Sequence, residues 1–336
     1  MNKKSEQNTT SSLKSTHYEI PAGVYQSMRN RVCFCITIIF GSQKKITLDP
    51  KNDDLDSVLT NYVKRGLKSV WAKKEDVDAF LNLSKTSKAL QIDPRGESET
   101  QILAKLCERV TQMREGMQNL GANLFVLDLA VEISAKSVFL MQKRPHLLKS
   151  FIKNGVRFPF CQQRSIDISF TACSLLQQFK WASEVQYQKI TLASLLCDVT
   201  QTESEIKEVD TLKLDPNAKW QKFLNIHIKS HPIEVARELS KYSDIIYPDT
   251  LKVIEQHHEL PNGKGFPKGI DDQRISFLSS IYIISEHLVD HLRFQNYDFN
   301  KVDDICNRLK KNFSSSNFSK ALSGLESLFP SLNLAN

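Results

Sequence analysis

The sequence predicts an α+β N-terminal domain followed by an all-α helical bundle. Short β-branched runs alternate with helical segments from His17 to Leu83. A polar stretch broken by Pro94 and Gly96 follows, and from Glu99 onward apolar residues recur every three or four positions. With 336 residues, 40% of them apolar and 25% charged, the chain has the length and composition of two soluble domains.

Taken in order, residues 1–16 hold almost nothing that folding could bury, so a disordered tail is expected there. "CFCITIIF" and "KKITLD", on either side of "GSQ", form the pattern of a β-hairpin. "DDLDSVLTNYVKRG" opens on acids, carries apolar residues at helical spacing and ends on Gly66, as a capped helix does. "KSVWAKK" reads as a further strand and "EDVDAFLNL" as a short helix. Residues 17–83 therefore make a small α+β module with an expected regulatory role, and 84–98 make the linker. Residues 99–336 form the helical domain, with the strongest periodicity in "ETQILAKLCERVTQMREGMQNL", "LFVLDLAVEISAKSVFLMQ", "SIDISFTACSLLQQF" and "YQKITLASLLCDV".

Several function classes are disfavoured. The net charge is +7, and residues 1–90 carry most of the excess, with 15 basic against 9 acidic side chains. These lysines and arginines are scattered rather than striped, so no DNA partner is expected. The seven cysteines form no CxxC pair and mostly lie in apolar runs, as reduced thiols of a cytoplasmic protein do. The N-terminus has no apolar signal core, and "VCFCITIIF" is too short to span a bilayer, so no membrane insertion is expected. The sequence holds no P-loop and no Rossmann fingerprint.

Polar residues of metal-ligand type interrupt the helical half at separated places. Asp198 ends the apolar run "LASLLCDV", His231 lies in "HIKSHPIEVA", and His257 and His258 are adjacent in "IEQHHEL". One carboxylate and three imidazoles suit zinc, manganese or iron, and helices can gather distant ligands into a bundle core. Each residue also has a plain reading, the histidines as surface or hydrogen-bonded core residues and Asp198 as a cap or a histidine partner.

The segment "HHELPNGKGFP" resembles the HH-E-x-x-D/N-G-x-G-Y-P signature of the HD-GYP proteins, bacterial phosphodiesterases acting on cyclic di-GMP. Asn262 fills the Asp/Asn position and Phe266 replaces the tyrosine. "LASLLCDVTQ" is similar to the family's HDIGK element, and "SHPIEVARELSKY" to its intermediate H-P helix. The resemblance covers Glu99 to the C-terminus and implies an HD-GYP-like bundle with metal ligands at Asp198, His231, His257 and His258. It also implies losses: Cys197 stands for the HD histidine, Arg164 for an earlier histidine, and Ser280 for a downstream ligand aspartate.

These substitutions leave open readings. Cys197 is either a packed small hydrophobe or a thiolate ligand, and Arg164 either a surface or helix-end charge or a bidentate phosphate contact. Glu259 would position a ring or pair with a base, while Gly263 and Gly265 would permit positive φ and expose N–H groups, with Pro267 stiffening the exit. Together with Asn262 and Phe266, these residues make an expected recognition loop.

The expected function is a degenerate HD-GYP-like signalling protein that binds cyclic di-GMP or a partner protein, with hydrolysis weak or lost and one divalent metal (Fe, Mn or Zn) or none. The alternative is an active, divergent metal-dependent cyclic di-GMP phosphodiesterase, and a third reading is a metal-free scaffold. The helix Glu99 to Leu120 suits a homodimer contact as well as inward packing.

Overall fold

The structure, a computed structural model, describes residues 15–22, 34–40, 44–49, 54–80, 92, 96–144, 147–148, 158–213 and 224–332. The expected tail 1–16 lies outside these residues except for 15 and 16, as does most of the linker 84–98 and the hairpin turn 41–43. The chain divides into two compact units, residues 1–91 with 111–129 and residues 92–110 with 130–336.

The first unit carries a four-stranded antiparallel sheet of β1 (His17–Pro21), β2 (Ile36–Phe40), β3 (Lys44–Leu48) and β4 (Ser69–Lys73), in the order β1-β4-β2-β3. β2 and β3 pair as the hairpin pattern required, Ile36 opposite Leu48 and Phe40 opposite Lys44. Period-two alternation sends Ile36 and Ile38 inward, where they meet Ile20, Val70 and Ala72. α1 (Leu55–Lys64) and α2 (Lys74–Phe80) add Leu59 and Val77 to the same core. Asp54 caps α1 by accepting from Ser57 N–H. β1, absent from the sequence reading, is an edge strand, where Pro21 does no harm to a ladder.

The second unit is helical. α3 (Glu99–Leu120) and α4 (Leu124–Lys143) contribute to both units by sequence, and the remaining helices belong to the second. These are α5 (Phe160–Leu176), α6 (Glu184–Leu196), α7 (Glu203–Lys213), α8 (Ile226–Leu239), α9 (Pro248–Gln256), α10 (Phe277–Phe294), α11 (Val302–Asn312) and α12 (Ser316–Leu332). α5 is the central rod: it packs on α6 and α10, and almost every residue from Cys161 to Leu176 is buried. A helix covered on all sides shows no polar stripe, so its charged residues lie in the core and must find partners there. α8 packs on α9, and α9 on α6, which brings the carboxyl ends of α6 and α9 beside the middle of α8. No helix among the described residues is long and apolar enough to cross a membrane.

Candidate metal centre

Asp198, His231, His257 and His258, distant in sequence, converge, with one ligand-type atom from each lying within 4.8 Å of all the others. All four are buried. Asp198 lies in the turn that follows α6, His231 in the middle of α8, and the histidine pair at the end of α9.

The backbone fixes which nitrogen each ring offers. His231 Nδ1 is 2.7 Å from the Ile228 carbonyl, and His257 Nδ1 is 2.7 Å from the Ile254 carbonyl. A carbonyl only accepts, so both Nδ1 atoms carry their protons and each neutral ring presents an Nε2 lone pair. Both carbonyls are available for a local reason. The helical donor to Ile228 would be the N–H of residue 232, which is Pro232 and has none. Ile254 lies in the last turn of α9, where carbonyls lack helical donors.

These lone pairs point at one spot. His231 and His257 Nε2 are 3.3 Å apart, and Asp198 Oδ1 lies 3.3 Å from the first, 3.4 Å from the second and 3.9 Å from His258 Nε2. Burial, helped by His257, holds the His231 imidazole below its usual pKa and so favours its neutral form, against the pull of Asp198. With the His231 ring neutral, its Nε2 lone pair and the Asp198 carboxylate oxygen face one another at 3.3 Å and repel unless a proton or a metal cation lies between them. The donor set therefore fits a divalent metal ion, with the Ile228 and Ile254 carbonyls orienting two of the three rings.

Asp198 faces the other way with its second oxygen. Its Oδ2 accepts from Arg164 Nη1 at 2.9 Å. Burial opposes ionisation of Asp198, but His231, His257 and Arg164 outweigh it and hold the carboxyl well below the usual carboxylate range. Arg164 is also bonded from Nε to Asp290 Oδ1 at 2.8 Å, and from Nη2 to Asp210, Glu286 and Asp290 at 3.1, 3.0 and 3.0 Å. Burial works against its charge, and Asp210, Asp290, Glu286 and Asp198 together overcome it. This corrects both sequence readings of Arg164: it is 2% exposed, so not a surface charge, and its three nitrogens already face carboxylates.

The remaining candidates fall outside the cluster. Cys197 Sγ is 2.8 Å from the Tyr282 hydroxyl, and burial, with Asp198 and Glu286, pushes its thiol well above the ordinary range. Its contacts support the packed-thiol reading, and Cys197 is not among the four side chains whose ligand atoms converge. Ser280 is buried in α10 and donates to the Ser276 carbonyl at 3.0 Å, contributing nothing to the centre. The acids of that helix which matter are Glu286 and Asp290, spaced i,i+4 on one face.

The glycine-rich loop is a packed wall. Glu259 is buried and accepts from Lys268 N–H at 2.7 Å and Ile270 N–H at 3.0 Å, so it clamps the loop's backbone. Those N–H groups are consequently not offered to a ligand. Gly263 does take positive φ, +68°, with the Asn262 carboxamide oxygen accepting from Lys264 N–H at 3.0 Å. Gly265 is required for space instead: a Cβ there would collide with the backbone of Glu259 and Leu260. Phe266 is buried against His258, ring centroids 4.5 Å apart, and precedes a cis peptide bond to Pro267.

α7 covers the mouth of the site. Thr202 and Glu205 form its capping box, and Ile206 and Val209 are buried beneath it. The pocket it leaves is lined by Asp198, His231 and His258 on one side and by Ile206, Val209 and Asp210 on the other.

One solved structure is similar along nearly the whole length: Bd1817, an HDG"Y"P protein from Bdellovibrio bacteriovorus, with a TM-score of 0.58, 94% of this chain and 99% of that chain covered, and 15% identity. The chain has the HD-GYP fold. No protein-family model matches the sequence, and no curated protein matches it. Within the HD-GYP fold, sequence reasoning missed Asp210, Glu286, Asp290 and the role of Pro232. The available signal was the acid pair at i,i+4 inside the otherwise apolar α10.

Proposed function

We propose that the chain is a signalling protein whose helical unit holds one divalent metal ion and binds a phosphodiester of the cyclic di-GMP class there, with hydrolysis weak or lost. The observation that carries this reading is the convergence of Asp198, His231, His257 and His258, with tautomers that aim the His231 and His257 lone pairs inward. Asp198, His231, His257 and His258 would hold the ion, which when bound supplies a Lewis-acidic point for a phosphate oxygen.

Loss of catalysis follows from what lies beside that point. Two-ion hydrolysis of phosphodiesters needs paired ions about 3.5–4 Å apart. On the other side of Asp198 lies the Arg164 guanidinium, and neither Cys197 nor Ser280 supplies a replacement ligand. The HD-GYP likeness supports the substrate class by analogy of fold.

The pocket under α7 has no room even for a water-sized sphere, so entry of a dinucleotide requires α7 to swing away. Residues 17–83 would then serve as the regulatory module. Calorimetric titration of the manganese-loaded protein with cyclic di-GMP, followed by chromatography of the mixture, tests the reading. Saturable binding with intact nucleotide is expected. Absence of binding would refute it, and rapid conversion to linear product would restore the phosphodiesterase alternative.

A further inference from the structure

Four carboxylates surround one guanidinium in the interior: Asp198, Asp210, Glu286 and Asp290 all lie within 3.1 Å of an Arg164 nitrogen. They come from two helices, α7 and α10, and the turn after α6, so no single stretch of sequence accounts for the gathering. A surface arginine rarely needs more than one such partner, and a buried ion pair needs only one acid to balance it. Here the acids outnumber the cation by three.

The oxygens are also arranged by position. Asp198 gives one oxygen to the guanidinium and turns the other to the imidazoles, so it bridges two places where positive charge belongs. Asp290 grips the guanidinium through both oxygens, at 2.8 and 3.0 Å, while Glu286 and Asp210 close on Nη2. A set of carboxylate oxygens converging on one buried point is the donor chemistry that hard divalent cations take. In this chain a side chain fills that point.

We propose that Arg164 is the resident cation of this acidic pocket: it fixes Asp198 for a single metal ion at the imidazoles and excludes a second divalent ion. The inference rests on the metal-binding reading given under Proposed function. Arg164 acts through Asp198 and is a positioning residue. Its charge cannot dissociate as a metal ion would, so this half of the centre stays filled at any metal concentration.

Manganese uptake by the full chain tests this, read as ions per chain after gel filtration and by electron paramagnetic resonance. The wild type should take up one ion with an isolated six-line signal. Arg164→Met should take up two, with the signal broadened by coupling between neighbouring ions. Arg164→Lys, which keeps the charge, should return to one, and so should Arg164→Met combined with Glu286→Gln and Asp290→Asn. A wild type that binds two coupled ions overturns the inference, as does a folded Arg164→Met that still binds one. An Arg164→Met chain that stays unfolded in millimolar manganese also overturns it, because the ion should replace the missing charge. A wild type that binds none instead removes the metal reading beneath the inference.

Discussion

Pro232 withholds the N–H that helix geometry would direct at the Ile228 carbonyl, and His231 takes that carbonyl through Nδ1 at 2.7 Å. The proline thus sets the tautomer of its neighbour and aims Nε2 at Asp198, 3.3 Å away. A helix interior pays about 3 kcal/mol for proline relative to alanine. Pro232→Ala should therefore raise the thermal midpoint while weakening metal affinity roughly 10- to 100-fold, as loss of an outer-shell partner does. Calorimetric zinc or manganese titration of both proteins checks it, and unchanged affinity would show that the carbonyl contact is incidental.

Gly265 has no room for a side chain, since any Cβ meets the backbone of Glu259 and Leu260. Gly265→Ala should destabilise the helical unit by about 3 kcal/mol, at the upper end for overpacking because backbone rather than side chain must yield. Denaturant unfolding would measure this. A loss under about 0.5 kcal/mol, the range of ordinary surface substitutions, would mean that the loop adjusts freely.

Asp210 ties α7 to Arg164 across 3.1 Å, and α7 is the cover of the centre. Asp210→Asn weakens a charge-assisted bond by about 1.5 kcal/mol, which corresponds to roughly tenfold easier opening. Hydrogen exchange of amides 203–213 should quicken accordingly while α5 and α10 remain protected. Exchange unaltered in α7 would remove the latch from the account.

Asp167 is buried in α5 and accepts from the Tyr297 hydroxyl at 2.6 Å, with Arg293 at 3.6 Å. Burial raises its pKa from 3.8 to about 6, although Tyr297 and Arg293 pull the other way. A carboxyl raised on folding contributes stability that is full below pH 3.8 and is lost as pH rises through about 6. The loss is on the order of 3 kcal/mol. Asp167→Asn keeps the acceptor without the charge, so it should be more stable than the wild type at pH 7.5, with the gap closing near pH 4. A gap independent of pH would place the cause elsewhere.

The legible and illegible parts of the centre differ for physical reasons. Histidine pairs and a histidine before proline stand out among apolar helical residues, and Asp198 ends a run too apolar to be surface. Arg164 is marked by the resemblance, but its burial is not legible, because α5 is buried on every side and its pattern offers no polar face against which a buried charge would look anomalous. Glu286 and Asp290 belong to a helix of the same kind, and they lie six and ten residues beyond Ser280, the position where the resemblance implies a ligand aspartate. In the first unit the hairpin was visible through β-branched alternation, whereas "HYEIP" is short, ends in proline and gains its strand character from pairing with β4. The loop residues were found by motif, but their work is packing: Glu259 holds backbone, and Gly265 makes space.

Metal content decides the central claim. Protein purified without chelator and supplied with manganese or iron should carry close to one divalent ion per chain, and His257→Ala and Asp198→Asn should each lose it while remaining folded by circular dichroism. Equal metal in the wild type and both variants, or none in any of them, would contradict a centre built from these four side chains.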